Sequence, residues 1–338
     1  MAFVDAARPD PNGIGPIEGI GGTALLIGAI VLGSFVGLKS PDLGETLSSG
    51  IDPTLLLLLA LLFFEVRLKD FAKGFANLKF ISITWVANFV IVPVIGFVIA
   101  SLFMSGQPLL YTGLLIYFLA PCTDWYLGFT RMARGDTALG AALLPINMVS
   151  QLLLYPLWLW VFMRHSDVVD FASIPDVLIN WFLVPFVVAQ IIRTVLGFAL
   201  PDALFEKLST GVGWAISLVT AVLILQIFAG NIGIIADHIS TFAVILVAIF
   251  VFFVTTFFMG EGLTRLFKLG HPQRALLSMT TAARNAPLML AVTAVAIPDQ
   301  PLVYAALVIG MLVEFPHLTA LKQTLLLQYA REQQSEPA

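Results

Sequence analysis

Charge is scarce in this sequence. Of 338 residues only 11% are charged and 59% are apolar, where an average soluble domain carries roughly a quarter charged residues. That balance excludes an ordinary cytosolic enzyme. The net charge of -4 holds no basic excess, so nothing points to a nucleic-acid partner. A single cysteine, Cys122, excludes an internal disulfide and a multi-cysteine metal site. The opening residues MAFVDAARPDPNG lack a basic stretch followed by an apolar run, so no cleaved signal peptide is expected. There is no GxSxG nucleophile turn, HExxH zinc helix or Gly-rich phosphate loop. Those absences argue against an intramembrane enzyme and imply no cofactor. With no ATP-binding domain, active transport would have to draw on an ion gradient or a partner.

What the chain does have is long apolar runs. A helix crossing a bilayer needs about 20 apolar residues. Runs bounded by Gly, Pro and charge predict spans near 20–38, 53–66, 80–103, 109–130, 138–163, 175–196, 210–233, 240–263, 275–297 and 301–321. The second is short, although Asp52 and Pro53 make a good helix start. After it, Phe71, Phe75 and Leu78 share a helical face that Lys69 and Lys73 avoid, which predicts a short helix lying in the membrane surface. The expected class is an all-α polytopic membrane protein: one transmembrane domain of ten helices.

Loop charges set its direction, because Lys and Arg accumulate on the cytoplasmic side. With ten spans, the side holding the N-terminus carries fourteen basic residues, among them Arg67, Lys79, Arg131, Arg193, Lys207, Arg274 and Lys322; the other side has Lys39 and Arg164. Both termini are therefore expected in the cytoplasm, in a multi-pass protein of the cell membrane. The last basic residue, Arg284, falls inside the ninth span.

Division after the fifth span gives repeats of about 20–163 and 175–321, and five spans in each make the second enter the membrane from the opposite side. The fourth span of each half is interrupted, first by Ala120-Pro121-Cys122-Thr123-Asp124 and then by Ala283-Arg284-Asn285-Ala286-Pro287. Proline removes a helix hydrogen bond. Thr123, Asp124 and Asn285 are good caps for a helix that restarts in mid-membrane. Two simple proline kinks would give the same letters, but paired broken helices in corresponding positions of an inverted repeat point to a transport site. Paired breaks also favour alternating access over a channel.

Asp124 and Arg284 are ionisable groups near the expected bilayer centre, where each costs about 2.5 to 3.5 kcal/mol on insertion scales. They are expected to face each other across the crossing of broken spans four and nine, either as a structural ion pair or as one that loosens during a transport cycle. Cys122 beside the break is either a small apolar core residue or a soft ligand, thiolate being the softest a protein offers. Glu314, in the run Leu312-Val313-Glu314-Phe315-Pro316-His317, is an isolated membrane carboxylate. His317 three residues on shares its face, which allows a proton relay. Asn88, Asn147, Gln151 and Gln226 suit helix-to-helix hydrogen bonds, and Gly33 with Gly37 suits close helix packing.

These residues and their surroundings resemble the arsenical-resistance permeases, the arsenite-efflux branch of the bile acid/sodium symporter superfamily. The marks are WVANFVIVP from Trp85 to Pro93, Cys122 in the broken fourth span, Arg134-Gly135-Asp136 after it, Asn147 in the fifth span, TAARN from Thr281 to Asn285, and LVEFP from Leu312 to Pro316. The resemblance implies a core of spans three to five and eight to ten, with spans four and nine crossing at their breaks, moving against a panel of spans one, two, six and seven. It ties Cys122 and Glu314 to a small inorganic metalloid, with Asn285 beside them. Asp124, Arg284, Thr123, His317 and Asn147 are then the candidates for coupling and crossover. In the family pattern a basic residue precedes the cysteine and an acidic one follows the ninth-span asparagines; here those places hold Pro121 and Leu288.

Arg284 would repel sodium at the ninth-span break, so the coupling ion expected is the proton. The leading expectation is export of trivalent arsenic or antimony by proton antiport. The alternative is a sodium-coupled symporter of a small organic anion, with Arg284 as partner to a carboxylate.

Overall fold

The computed structural model describes residues 16–66, 77–122, 126–163 and 183–335. The expectations for the N-terminal stretch, for the surface helix around Phe71 and Phe75, and for Thr123 and Asp124 lie outside the described residues. Every regular element among them is helical. In chain order these are α1 (Pro16–Lys39), α2 (Pro41–Ser48), α3 (Ile51–Glu65), α4 (Leu78–Val86), α5 (Val92–Met104), α6 (Pro108–Leu119), α7 (Tyr126–Met132), α8 (Thr137–Met163), α9 (Val184–Ala199), α10 (Asp202–Ala236), α11 (Ile239–Phe267), α12 (His271–Ala282), α13 (Ala286–Ala296) and α14 (Pro301–Ser335).

Five of the described stretches are long and apolar enough to cross a membrane: α4 through α5, α8, α10, α11 and α14. The pair α2 and α3, bent by 42°, makes a sixth; Ala24–Lys39, α6, α9 and α13 are shorter apolar helices. Large apolar side chains face outward along these elements, including Phe35, Leu102, Leu153, Phe198, Trp214 and Phe250. In water such a surface would drive association. In a bilayer it is the solvent-compatible face, and the chain is a polytopic membrane protein.

Helices and apolar runs do not end at the same residues. The predicted seventh span begins near 210 but α10 starts at Asp202, and the tenth ends near 321 while α14 continues to Ser335. Glu, Lys and Gln are good helix formers, so the polar turns at these ends stay helical after the apolar stretch has stopped.

Close backbone contact sets the packing. A Cβ on Gly33 or Gly37 would lie 2.5 Å from the Leu225 carbonyl oxygen or 2.3 Å from that of Ala229, so the small pair on α1 is what lets α1 seat against α10. α6 packs on α14 in the same way: a Cβ on Gly310 would fall 2.4 Å from the ring of Tyr117, whose hydroxyl donates to the Gly310 carbonyl at 3.2 Å. α9 holds the end of α3, with Gln190 donating to the Phe63 carbonyl at 2.8 Å and Arg193 donating to that of Phe64. These carbonyls belong to the last turn of α3, beyond the i→i−4 ladder, where the Phe63 carbonyl also takes a long 3.4 Å bond from the Val66 N–H.

The WVANFVIVP stretch spans the junction of α4 and α5, which are joined by a π-helical segment, Ala87–Ile91. Pro93 has no N–H to offer the Phe89 carbonyl four residues earlier, and the ladder widens there instead of breaking. Asn88 lies in the widened turn and is fully buried.

Candidate functional site at the crossing of two breaks

α6 stops at Leu119 and the next described helix is α7, Tyr126–Met132; α12 stops at Ala282 and α13 starts at Ala286. Between those ends the two strands of backbone pass each other as an antiparallel bridge at Pro121 and Arg284. The Cys122 N–H donates to the Ala283 carbonyl, and the Asn285 N–H donates to the Ala120 carbonyl, both at 3.0 Å. Extended backbone in a membrane must find internal partners. Each break supplies the partners the other lacks, so neither would persist alone.

Arg284 is fully buried at this bridge. Its guanidinium donates to three backbone carbonyls: Nη1 to Phe118 at 3.1 Å, and Nη2 to Thr280 at 3.1 Å and Thr281 at 2.7 Å. Its carbon lies 5.6 Å from the centre of the Phe252 ring. The acceptors are last-turn carbonyls of α6 and α12, where helix dipoles concentrate negative charge. Asp124, the partner expected from sequence, lies outside the described residues.

Glu314, 1% exposed, is brought to the same place from α14, and its Oε1 accepts the backbone N–H of Arg284 at 3.0 Å. The carboxylate thus meets the start of α13, the positive end of that helix. Asn285 occupies the N-cap position of α13, but its side chain makes no capping bond there. Its backbone carbonyl accepts the Met289 N–H at 2.9 Å, the first bond of the α13 ladder. Pro287 in the first turn suits a helix start, since its missing N–H would have had no partner.

Cys122 is 1% exposed and lies among buried residues that include Ala87, Tyr126, Phe129 and Ala283. The structure therefore brings Cys122, Arg284, Asn285 and Glu314 to one crossing. His317 stands apart. Its ring stacks flat on Phe253 at 3.7 Å, and its Nε2 has no hydrogen-bond partner among the described residues. The shared helix face with Glu314 does not translate into a hydrogen bond between them.

Asn147 enters through a residue the sequence did not single out. Thr280 Oγ1 accepts from Asn88 Nδ2 at 3.1 Å and from Asn147 Nδ2 at 3.3 Å, joining the π-helical turn, α8 and α12. The Oδ1 atoms of both asparagines are buried with no hydrogen-bond partner among the described residues. A narrow cleft borders the crossing at Ala120, and the Gln151 Oε1 and Trp158 Nε1 of its lining residues are likewise buried with no hydrogen-bond partner among the described residues. Polar atoms in that condition are costly unless something binds them. The available signal was the polarity of Thr280 in an apolar span, which a single threonine gives weakly because it can bond its own helix.

Arg134-Gly135-Asp136 is structural. Asp136 Oδ1 accepts the Leu139 N–H at 3.0 Å at the start of α8, and the Asp136 N–H donates to the Pro272 carbonyl, tying α8 to the first turn of α12. Among the described residues no three of His, Cys, Asp and Glu gather to hold a metal ion.

Residues 53–238, more than half of the chain, match the Sodium Bile acid symporter family. The chain belongs to that family. A member of the sodium bile acid symporter family is a membrane transporter, not an enzyme, and the crossing is the feature of this member where the buried Cys122, Arg284 and Glu314 come together. The chain is also similar to the arsenical-resistance protein Acr3 of Corynebacterium glutamicum, with 27% identity over 332 residues covering 89% of this chain and 86% of that protein.

Proposed function

We propose that this symporter-family protein exports trivalent metalloid, arsenite or antimonite, by proton antiport with alternating access. The observation that carries the reading is the placement of Cys122, the sole thiol, whose own N–H is part of the bridge between the breaks. Trivalent arsenic bonds readily to sulfur, and one thiol gives one bond, which suits a carrier that must release its cargo. In neutral water that cargo is an uncharged trihydroxide. Its hydroxyls match the buried Oδ1 atoms of Asn88 and Asn147. The arsenical-resistance relative supports the same substrate class.

In this reading the ten apolar segments form two inverted repeats of five spans, in which α6 with α7 and α12 with α13 are the broken fourth and ninth. The core of spans three to five and eight to ten moves against the panel of spans one, two, six and seven. Thr123 and Asp124, next in sequence after Cys122, are coupling candidates in this reading. Both termini are cytoplasmic: a reporter fused to either end reads as internal, and one near Asp237 reads as external. An external C-terminus with an internal N-terminus would remove the inverted repeat.

The organic-anion alternative asks Arg284 to offer its fork to a carboxylate. Its Nη1 and Nη2 are already engaged by backbone carbonyls, which favours the metalloid. The test is tolerance of arsenite and antimonite in an efflux-deficient host, with intracellular metalloid measured. Expression should raise tolerance and lower the cell content; unchanged accumulation would reject the substrate class.

A further inference from the structure

The ends of broken helices are where membrane carriers gather ions: half-helix C-termini and unwound carbonyls coordinate a cation. In this protein two such ends, those of α6 and α12, point at one spot from opposite segments of the chain. The spot already contains a cation, and it is part of the protein. The Arg284 guanidinium takes the last-turn carbonyls of Phe118 on one helix and of Thr280 and Thr281 on the other, with no exposure to solvent and with the Phe252 ring beside it.

We propose that Arg284 is a tethered stand-in for an alkali coupling cation. It neutralises both half-helix ends at once, holds the two breaks in register, and makes the carrier independent of sodium in a family described by sodium symport. Three features of the structure argue for this over a plain structural ion pair. The acceptors described are carbonyl dipoles, as for a bound alkali ion. They come from both broken helices, so the cation bridges the crossing. Glu314 meets the backbone N–H of the same residue, at the positive end of α13, so its carboxylate is held at a helix start while the guanidinium serves the two helix ends. The inference rests on the proton-coupled reading only for which ion is dispensed with.

The test uses the full-length protein purified in detergent, with thermal unfolding measured at constant ionic strength in sodium, potassium or choline chloride. The wild type should unfold at the same temperature in all three. Arg284→Ala should lose several degrees and regain more than half of that loss with ethylguanidinium, but not with ethylurea, which has the same shape and no charge. Should Arg284→Ala fail to fold, Arg284→Lys and Arg284→Gln decide: lysine keeps the cation and should stay near the wild-type value, whereas glutamine keeps hydrogen-bond donors and should not. Sodium-specific stabilisation of the wild type, equal rescue by ethylurea, no rescue at all, or equal melting of the lysine and glutamine variants would each overturn the proposal. No metalloid enters the assay, so its outcome is separate from the substrate assignment.

Discussion

Cys122→Ser is expected to reduce metalloid export to the level of cells without the carrier while leaving the protein folded. Serine keeps the backbone N–H that donates to Ala283 and nearly the volume of cysteine, so the bridge between the breaks survives. What disappears is the soft ligand, and a hydroxyl is a hard donor that trivalent arsenic has no reason to prefer over water. The price in stability is the burial of a hydroxyl in a site that is 1% exposed, about 1 to 3 kcal/mol if it gains no partner. Thermal unfolding of the purified variant measures that part and separates it from the loss of transport. Export undiminished in Cys122→Ser would end the thiol mechanism.

Glu314→Gln carries the second large effect. The amide oxygen of glutamine can still accept the Arg284 N–H that Glu314 Oε1 accepts at 3.0 Å, so the start of α13 keeps its partner. The side chain can no longer take up or release a proton. Export by the variant should therefore stop or become insensitive to the pH gradient. Glu314→Leu should behave differently, because it leaves the buried Arg284 N–H without an acceptor at a cost of about 1 to 3 kcal/mol, seen as lower melting as well as lost export. If Glu314→Gln kept a full response to the pH gradient, the proton would have to be carried elsewhere.

The parts of this protein legible in its sequence are those written in runs or in rare letters. Apolar stretches bounded by Gly, Pro and charge marked the helices, and the proline-bearing interruptions at Ala120 and Ala283 marked the two breaks that the structure brings together. Cys122, Arg284 and Glu314 stood out because a thiol or a charge in an apolar span is unusual. What could not be read was contact between distant segments. The Nη1 and Nη2 groups of Arg284 meet the carbonyls of Phe118, Thr280 and Thr281, and backbone carbonyls carry no letter; the Asp124 expected opposite lies outside the described residues. Thr280 as acceptor for Asn88 and Asn147 needed the π-helical turn before Pro93 and the packing of three helices, neither of which has a local period. Asn285 sits at a helix start as expected but leaves its side chain out of the cap, and one of the two N–H groups such a cap would serve is missing because Pro287 is the second helical residue.

The most direct measurement is uptake of arsenite into everted membrane vesicles, in sodium-free buffer, under imposed pH gradients of both signs. Proton antiport requires arsenite to enter the lumen when the lumen is acid, to collapse when a protonophore removes the gradient, and to be unaffected by added sodium. Uptake that needs sodium and ignores the pH gradient would contradict the account.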